Sequence, residues 1–347
     1  PKSEGALFSD TNGVSIVNRE YGIYGGLEKR MWDDRLIFKS TLRLDKNENF
    51  DHLMSPAFSL VFKPTLDHTF RSTFSSAIRN PTLLNQYMYY NIGRAMLVGN
   101  INGYDSLVTL GSLQDFMASQ NKDTLSYFNL DPIKPERVKT IEFGYRGTWF
   151  KRLYVDASYY FNWYRDFIGF VNGADILVTS INTAYINNIY RVATNSQNLV
   201  TTQGFAIGLN QYIGKYFAIN GNYSWNKLNK TIDDPIIPAY NTPEHKYNLG
   251  ISGRDILVKG TGIKNIGFNI NYKWIEGFIY EGSPQFTGFV PTYDYLDAQI
   301  SHKVPKYHTT AKLGVSNLFN NKVLHVYGGP YIGRMIYFSL LFDWSKK

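Results

Sequence analysis

Residues 216–226 read YFAINGNYSWN, and this stretch decides the fold class. Apolar side chains occupy Phe217, Ile219, Tyr223 and Trp225, while small or polar side chains occupy the positions between them. Side chains of an extended strand point to opposite faces in turn, so the stretch predicts a strand with one apolar and one polar face. A barrel that crosses a membrane has this arrangement, with lipid outside and water in the lumen.

The same alternation recurs along the whole chain. It predicts roughly thirteen strands, each near the length that crosses a bilayer at a tilt. The predicted strands are 14–30, 35–45, 56–63, 68–78, 137–149, 153–165, 202–213, 216–228, 245–253, 263–274, 293–303, 307–318 and 332–344. The pattern therefore favours an all-β fold, an antiparallel transmembrane β-barrel of the outer-membrane type.

The clearest predicted hairpin covers residues 137–165. One face carries Ile141, Phe143, Tyr145, Trp149, Leu153, Val155, Ala157, Tyr159, Phe161 and Trp163. The other face carries Thr140, Glu142, Arg146, Asp156, Ser158 and Asn162. We expect charged residues only on this second face, because Arg or Lys at mid-depth on a lipid-facing surface costs about 2 to 4 kcal/mol.

The predicted connectors alternate between short and long. The short ones are 31–34, 64–67, 150–152, 214–215 and 304–306, and the long ones are 79–136, 166–201, 229–244, 275–292 and 319–331. In outer-membrane barrels short turns are periplasmic and long loops extracellular. The strand number is odd and an open sheet edge is not tolerated in lipid, so we expect residues 1–347 to form one incomplete barrel domain.

Composition excludes several classes of protein. The 347 residues carry a net charge of +8, but the basic residues are scattered, so no nucleic-acid partner is expected. The absence of cysteine excludes disulfide frameworks and thiolate chemistry. Aromatic residues make up 16% of the chain, which suits the aromatic girdles of a membrane barrel and also a soluble carbohydrate-binding sandwich.

No catalytic or metal-binding pattern is found in the sequence. The six histidines are dispersed, without a Glu at metal-ligand spacing, and the chain has neither a nucleophile elbow nor a phosphate-binding glycine loop. We therefore expect no enzyme activity, no catalytic residue, no cofactor and no protein-built metal site.

Four segments resemble the signature of TonB-dependent outer-membrane receptors. They are AIRNPTL at 77–83, PERVKTIEFGYRG at 135–147, VSNLFNNK at 315–322, and Gly333-Arg334 before the last strand. Their order along the chain is that of the family. The resemblance implies a barrel of roughly 22 strands, of which this chain holds the thirteen C-terminal ones, while the plug domain lies outside it.

The same resemblance implies a function, a location and partners. It implies import of a scarce nutrient across the cell outer membrane, driven by the TonB complex through the plug. A ferric chelate is favoured as the imported ligand because it is the commonest cargo of the family, and a corrinoid, an oligosaccharide or a peptide stays open. Lipopolysaccharide, membrane lipid and a surface lipoprotein are further expected partners.

Two groups of residues are candidate sites. Tyr87, Tyr89, Tyr90 and Arg94 lie in the longest predicted connector and suit stacking on a ligand and bonding its polar edge. A charge network on the lumen side is expected from Glu136, Glu142, Arg146 and Asp156, with Arg137 and Lys139 nearby, and it would grip a plug.

Two alternatives stay open at this point. A passive porin-like channel predicts an inward-folded loop and rings of charge instead of a plug. A soluble β-rich binding protein predicts aromatic faces packed between two sheets.

Overall fold

The computed structural model describes residues 2–3, 8, 16–93, 95–178, 184–229, 236, 240–258, 260, 262–282 and 287–343. Thirteen strands form one continuous antiparallel sheet in which every strand pairs with its neighbours in chain order. They are β1 Glu20–Met31, β2 Leu36–Asn47, β3 Phe50–Thr65, β4 His68–Arg79, β5 Glu136–Trp149, β6 Leu153–Arg165, β7 Val200–Ile213, β8 Phe217–Asn229, β9 His245–Ile256, β10 Ile266–Ile275, β11 Tyr293–Val304, β12 Thr309–Ser316 and β13 Met335–Phe342. The predicted all-β barrel architecture is confirmed.

The sheet has a short-connector end and a long-connector end. At the short-connector end the chain turns at 32–35, 66–67, 150–152, 214–216, 257–265 and 305–308, and at the other end the connectors are 48–49, 80–135, 166–199, 230–244, 276–292 and 317–334. Positive φ at Phe150 and Lys151 closes the tight turn between β5 and β6. The sequence predicts that short and long connectors alternate strictly. The connector 48–49 breaks this rule, because it has only two residues and lies at the long-connector end.

The exception at 48–49 has a local cause. β3 begins at Phe50, six residues before its predicted start, so only two residues separate β2 from β3. The side-chain oxygen of Asn47 accepts the Asn49 N–H at 2.9 Å, which stabilises the turn, and Phe50 and Leu53 are buried.

The strand register keeps polar residues on one face of the sheet. Ion pairs on this polar face join Lys39 to Glu28, Arg43 to Asp45, Arg71 to Glu142, Arg146 to Asp156 and Lys273 to Asp297, with N···O distances of 2.7 to 3.1 Å. The other, apolar face carries exposed side chains such as Phe143, Leu249, Ile270 and Leu313. These thirteen strands form a single sheet and not two packed sheets, so the packing that the soluble β-rich alternative predicts, with aromatic faces between two sheets, is wrong.

Three cations depart from the predicted face rule. Arg137, Lys139 and Arg165 lie on the apolar face by register, and the prediction that hairpin charges occupy only the polar face is wrong for them. They stand at the long-connector end of β5 and β6. In a transmembrane barrel the cost of a charge on the lipid face falls from its mid-depth value to about 0 to 1 kcal/mol near the strand ends.

The described sheet is open. β1 pairs only with β2, and β13 pairs only with β12. Leu27 on β1 is 79% exposed, and every residue of β13 is exposed. No helix among the described residues is long and apolar enough to cross a membrane.

Two long connectors fold into a second sheet, which we call the cap sheet. Its strands lie in the order Tyr127–Leu130, Tyr104–Val108, Ile168–Val178, Ala184–Asn195, Met96–Val98 and Tyr89–Asn91. Helix α1 (Leu83–Tyr87) precedes it, and helix α2 (Leu110–Ser119) packs against it through Leu113 and Phe116. We call the thirteen-stranded sheet, β1 to β13, the wall. All three clusters of buried hydrophobic residues in the described chain lie in and around the cap sheet and not in the wall.

Candidate functional site

The predicted tyrosine group lies between α1 and the edge of the cap sheet. Thr82 caps α1 in a reciprocal arrangement with Asn85: the Thr82 hydroxyl accepts the Asn85 N–H, and the Asn85 side-chain oxygen accepts the Thr82 N–H. This N-terminal cap of α1 fixes where the helix begins after β4. The tyrosines then follow at the last residue of α1 and in the first strand of the cap sheet.

The three tyrosines do not share one surface. Tyr87 and Tyr89 both line a cavity of about 330 Å³. Tyr90 pairs with Leu97 one residue further along the strand, so it points to the opposite face, and it is 45% exposed. The Tyr87 hydroxyl accepts a hydrogen bond of 2.8 Å from Asn49 Nδ2. Arg94 lies outside the described residues.

The predicted charge residues occur in separate pairs. Glu136 pairs with Arg79 and Glu142 with Arg71, while Arg146 and Asp156 pair with each other. The first two partners come from β4 and not from Arg137 or Lys139. Those two cations lie on the opposite face of β5.

Glu136 has a second role beyond its ion pair. Its Oε2 atom accepts from Arg79 Nη2 at 2.7 Å and from the Ile168 backbone N–H at 2.9 Å. Glu136 is only 5% exposed. Because Ile168 begins the long hairpin of the cap sheet, this carboxylate joins the wall to the cap.

A larger cavity of about 1030 Å³ lies between the cap sheet, the last residue of β6 and the connector residues 195–199. Its lining includes Asn129, Asn172, Asn195, Asn198, Phe128 and Arg165. Amides both donate and accept hydrogen bonds, so this lining suits a ligand rich in polar groups. Sequence reasoning missed these residues, although the frequent asparagines of 187–198 are a visible signal.

A tyrosine cluster stands at the long-connector end of the polar face. The Tyr160 hydroxyl donates to Asn226 Oδ1 at 2.7 Å. Tyr240, in the connector after β8, has its pKa raised by burial and, secondarily, by the neighbouring Tyr160. Its phenol is therefore neutral at physiological pH and serves as a hydrogen-bonding group.

The third and fourth sequence motifs also meet in space. Asn320 Oδ1 accepts the Arg334 N–H at 2.8 Å. Asn317 has positive φ, and its side chain exchanges two hydrogen bonds with the Asn321 backbone, at 2.7 and 2.9 Å. These bonds fold the segment after β12 so that it leads into β13. Among the described residues, no group of His, Asp and Glu could hold a metal ion.

This geometry defines a class: a continuous wall of antiparallel strands with one polar and one apolar face, topped by folded connectors. Residues 4–318 match the sequence model of the family described as TonB dependent receptor-like, beta-barrel. The chain belongs to the TonB-dependent receptor family, which is a class of outer-membrane proteins.

Solved structures agree on the fold. The siderophore receptor PirA from Acinetobacter baumannii has 15% identity and a TM-score of 0.63, with 97% of this chain and 48% of that chain covered. The copper transporter OprC has 15% identity and a TM-score of 0.63, with 93% and 48% covered. The FrpB iron transporter from Neisseria meningitidis has 14% identity and a TM-score of 0.62, with 93% and 45% covered.

The chain thus spans about half the length of the solved structures it matches. No curated protein matches it by sequence.

Proposed function

We propose that this chain is the C-terminal part of an outer-membrane receptor that imports a scarce nutrient with energy from the TonB complex. The cap sheet captures the ligand, the polar face lines the route inward, and a plug supplied by another part of the protein closes the route and contacts TonB. The observation that carries this proposal is the family match over residues 4–318.

The cap sheet supports a capture role. It places two cavities, of about 1030 and 330 Å³, at the end of the wall where long connectors gather. A small-ligand site is commonly a pocket of this size with a few polar groups on a rigid scaffold. The buried core of the cap gives that rigidity.

A ferric chelate is the proposed ligand. The neighbours named above are a siderophore receptor, an iron transporter and a copper transporter, and their names support a metal-containing cargo. Tyr87 and Tyr89, which line the smaller cavity, offer rings and hydroxyls for the organic part of a chelate. A corrinoid, an oligosaccharide and a peptide are the competing cargoes, and a surface lipoprotein is a proposed delivery partner.

Uptake by the full-length receptor tests the proposal against the passive channel. Cells that depend on this receptor are given radiolabelled ferric siderophores, cyanocobalamin or oligosaccharides, with and without an uncoupler of the proton-motive force. We expect accumulation of one ferric chelate that stops on uncoupling. Uptake that continues after uncoupling would instead identify a porin-like channel, and energy-dependent uptake of another cargo would correct the ligand class.

A further inference from the structure

Three cations that form no ion pair with any described residue lie close together on the apolar face. Arg137 of β5 stands directly opposite Arg165 of β6, and Lys139, two residues along β5, stands opposite Trp163. All three side chains are exposed. We call these residues, Arg137, Lys139 and Arg165, the cation patch.

The surroundings of the cation patch on this face contain no carboxylate in the part of the chain that the structure describes. By register, its neighbours are Ser76 and Ile78 on β4 and Thr201 and Gln203 on β7. Three acids lie nearby in sequence. Glu136 and Glu142 point to the polar face and already pair with Arg79 and Arg71. Asp166 follows Arg165 after the end of β6 and forms no ion pair with the three cations.

This arrangement is unfavourable without an anion. Like charges directly opposite one another destabilise a strand pair, by an amount on the order of 0.2 to 1 kcal/mol. A phosphate placed between two guanidinium groups makes the interaction free energy favourable, because each guanidinium can bind it through two parallel N–H···O bonds. An ammonium such as that of Lys139 adds a third donor.

The position of the cation patch indicates which kind of molecule carries the phosphate. Phe161 and Trp163, with ring centroids 4.6 Å apart, precede Arg165 on the same face of β6. Aromatic rings mark the boundary between hydrocarbon and head groups. Arg165 also lines the larger cavity, together with Asn195, Lys134 and the acids Asp131 and Asp166, so polar space adjoins Arg165 on the side away from the rings.

We propose that the cation patch binds the phosphate groups of the outer-leaflet glycolipid, lipopolysaccharide. The acyl chains lie along the rings of Phe161 and Trp163, the phosphates lie between Arg137 and Arg165, and the sugars extend toward the cavity. This proposal rests on the proposed outer-membrane placement, with the long-connector end facing outward.

The test uses the purified full-length receptor and a pair of charge-matched variants. The first carries Arg137→Gln and Arg165→Gln, and the control carries Lys151→Gln and Arg152→Gln at the short-connector end. Affinity is measured against vesicles that contain lipopolysaccharide, dephosphorylated lipopolysaccharide or phosphatidylglycerol. We expect the first variant to lose about tenfold in affinity for lipopolysaccharide, and the control to retain wild-type affinity.

Dephosphorylated lipopolysaccharide should bind the wild type as weakly as intact lipopolysaccharide binds the first variant. Equal loss in both variants, or wild-type binding of the dephosphorylated lipid, would overturn the proposal. Equal affinity for phosphatidylglycerol would assign the cation patch to phospholipids and overturn the glycolipid assignment. A variant with Arg137→Lys and Arg165→Lys keeps the charge without the paired N–H donors, and we expect its affinity to lie between that of the wild type and that of the first variant. Heat-modifiable gel migration like that of the wild type shows that each variant is folded.

Nutrient uptake by the same variants keeps this result separate from the proposed function. Weakened lipid binding with normal energy-dependent uptake supports both proposals. Passive uptake would overturn the transport proposal. The result on lipopolysaccharide binding would be unaffected, because it is measured separately on the purified receptor.

Discussion

Arg79 and Glu136 are 57 residues apart in the chain, yet Arg79 Nη2 lies 2.7 Å from Glu136 Oε2. Arg79 ends β4 and Glu136 begins β5, so this pair closes the base of the connector that contains four of the six cap-sheet strands. The same Oε2 atom accepts the Ile168 N–H, which begins the hairpin of the other two strands. One carboxylate therefore fastens both parts of the cap sheet to the wall.

Replacement of Glu136 separates its two roles. Glu136→Gln keeps an acceptor for Ile168 and loses only the charge, so we expect a cost of about 1 kcal/mol, since the half-exposed Arg79 is then hydrated. Glu136→Ala leaves the Ile168 N–H without its acceptor and should cost about 2 to 3 kcal/mol. Hydrogen exchange at Ile168 and its neighbours measures both. Glu142→Gln, whose pair with Arg71 is more exposed, is the control, and an equal effect there would contradict the junction role.

The face assignment is tested on β6. Phe161→Arg places a charge on the apolar face and should impair membrane assembly, at a cost of about 2 kcal/mol or more. Ser158→Arg places the same charge on the polar face, between Gly144 and Ala206, and should be tolerated better. Heat-modifiable gel migration of the full-length protein in detergent reports folding. Equal tolerance of the two variants would refute the register.

Gly99 tests the packing of the cap sheet against the end of α1, next to Tyr87. A Cβ at this position would overlap the backbone of Gln86 and Tyr87, so that backbone would have to shift. Gly99→Ala should displace α1 from the strand Met96–Val98, at a cost of about 1 to 3 kcal/mol. Limited proteolysis within 80–135 reads this out. Gly111→Ala, in α2 with nothing within 4 Å of the new methyl group, is the matched control and should not increase cleavage.

The two faces of the first cap strand predict unequal roles for its tyrosines. Tyr89→Ala removes a ring from the smaller cavity, whereas Tyr90→Ala removes one from the opposite face. We expect the first change to lower ligand affinity and the second to have little effect. Titration of the purified receptor with the imported ligand measures both, and a larger loss for Tyr90→Ala would move the site to the other face of the strand.

The wall was predictable from sequence because its signal is local. A strand with lipid on one face and water on the other repeats every two residues, and that repeat found all thirteen strands. Their ends were less predictable. β3 begins at Phe50, in a segment where apolar and polar residues do not alternate, so the two-residue repeat gives no signal for its first residues.

The cap sheet left no comparable signal. Several of its strands have three to five residues, too few to reveal a period, and Met96–Val98 pairs in parallel with Ala184–Asn195 from the next connector. The ion partners show the same limit. Asp156 lies ten residues from Arg146 within one hairpin, whereas Arg71 and Glu142 are 71 residues apart, and only the fold brings them together.

The location of the buried core has a consequence for how the molecule holds together. The cap sheet and α2 gain stability as water-soluble proteins do, by removing Val98, Val108 and Phe116 from water. The thirteen described strands of the wall contain no such buried cluster. Lipid on the apolar face takes the place of a packed interior, and hydrogen bonds between strands satisfy the backbone N–H and C=O groups. One polypeptide is thus adapted to two solvents, and an agent that weakens the hydrophobic effect in water acts first on the cap and last on the wall.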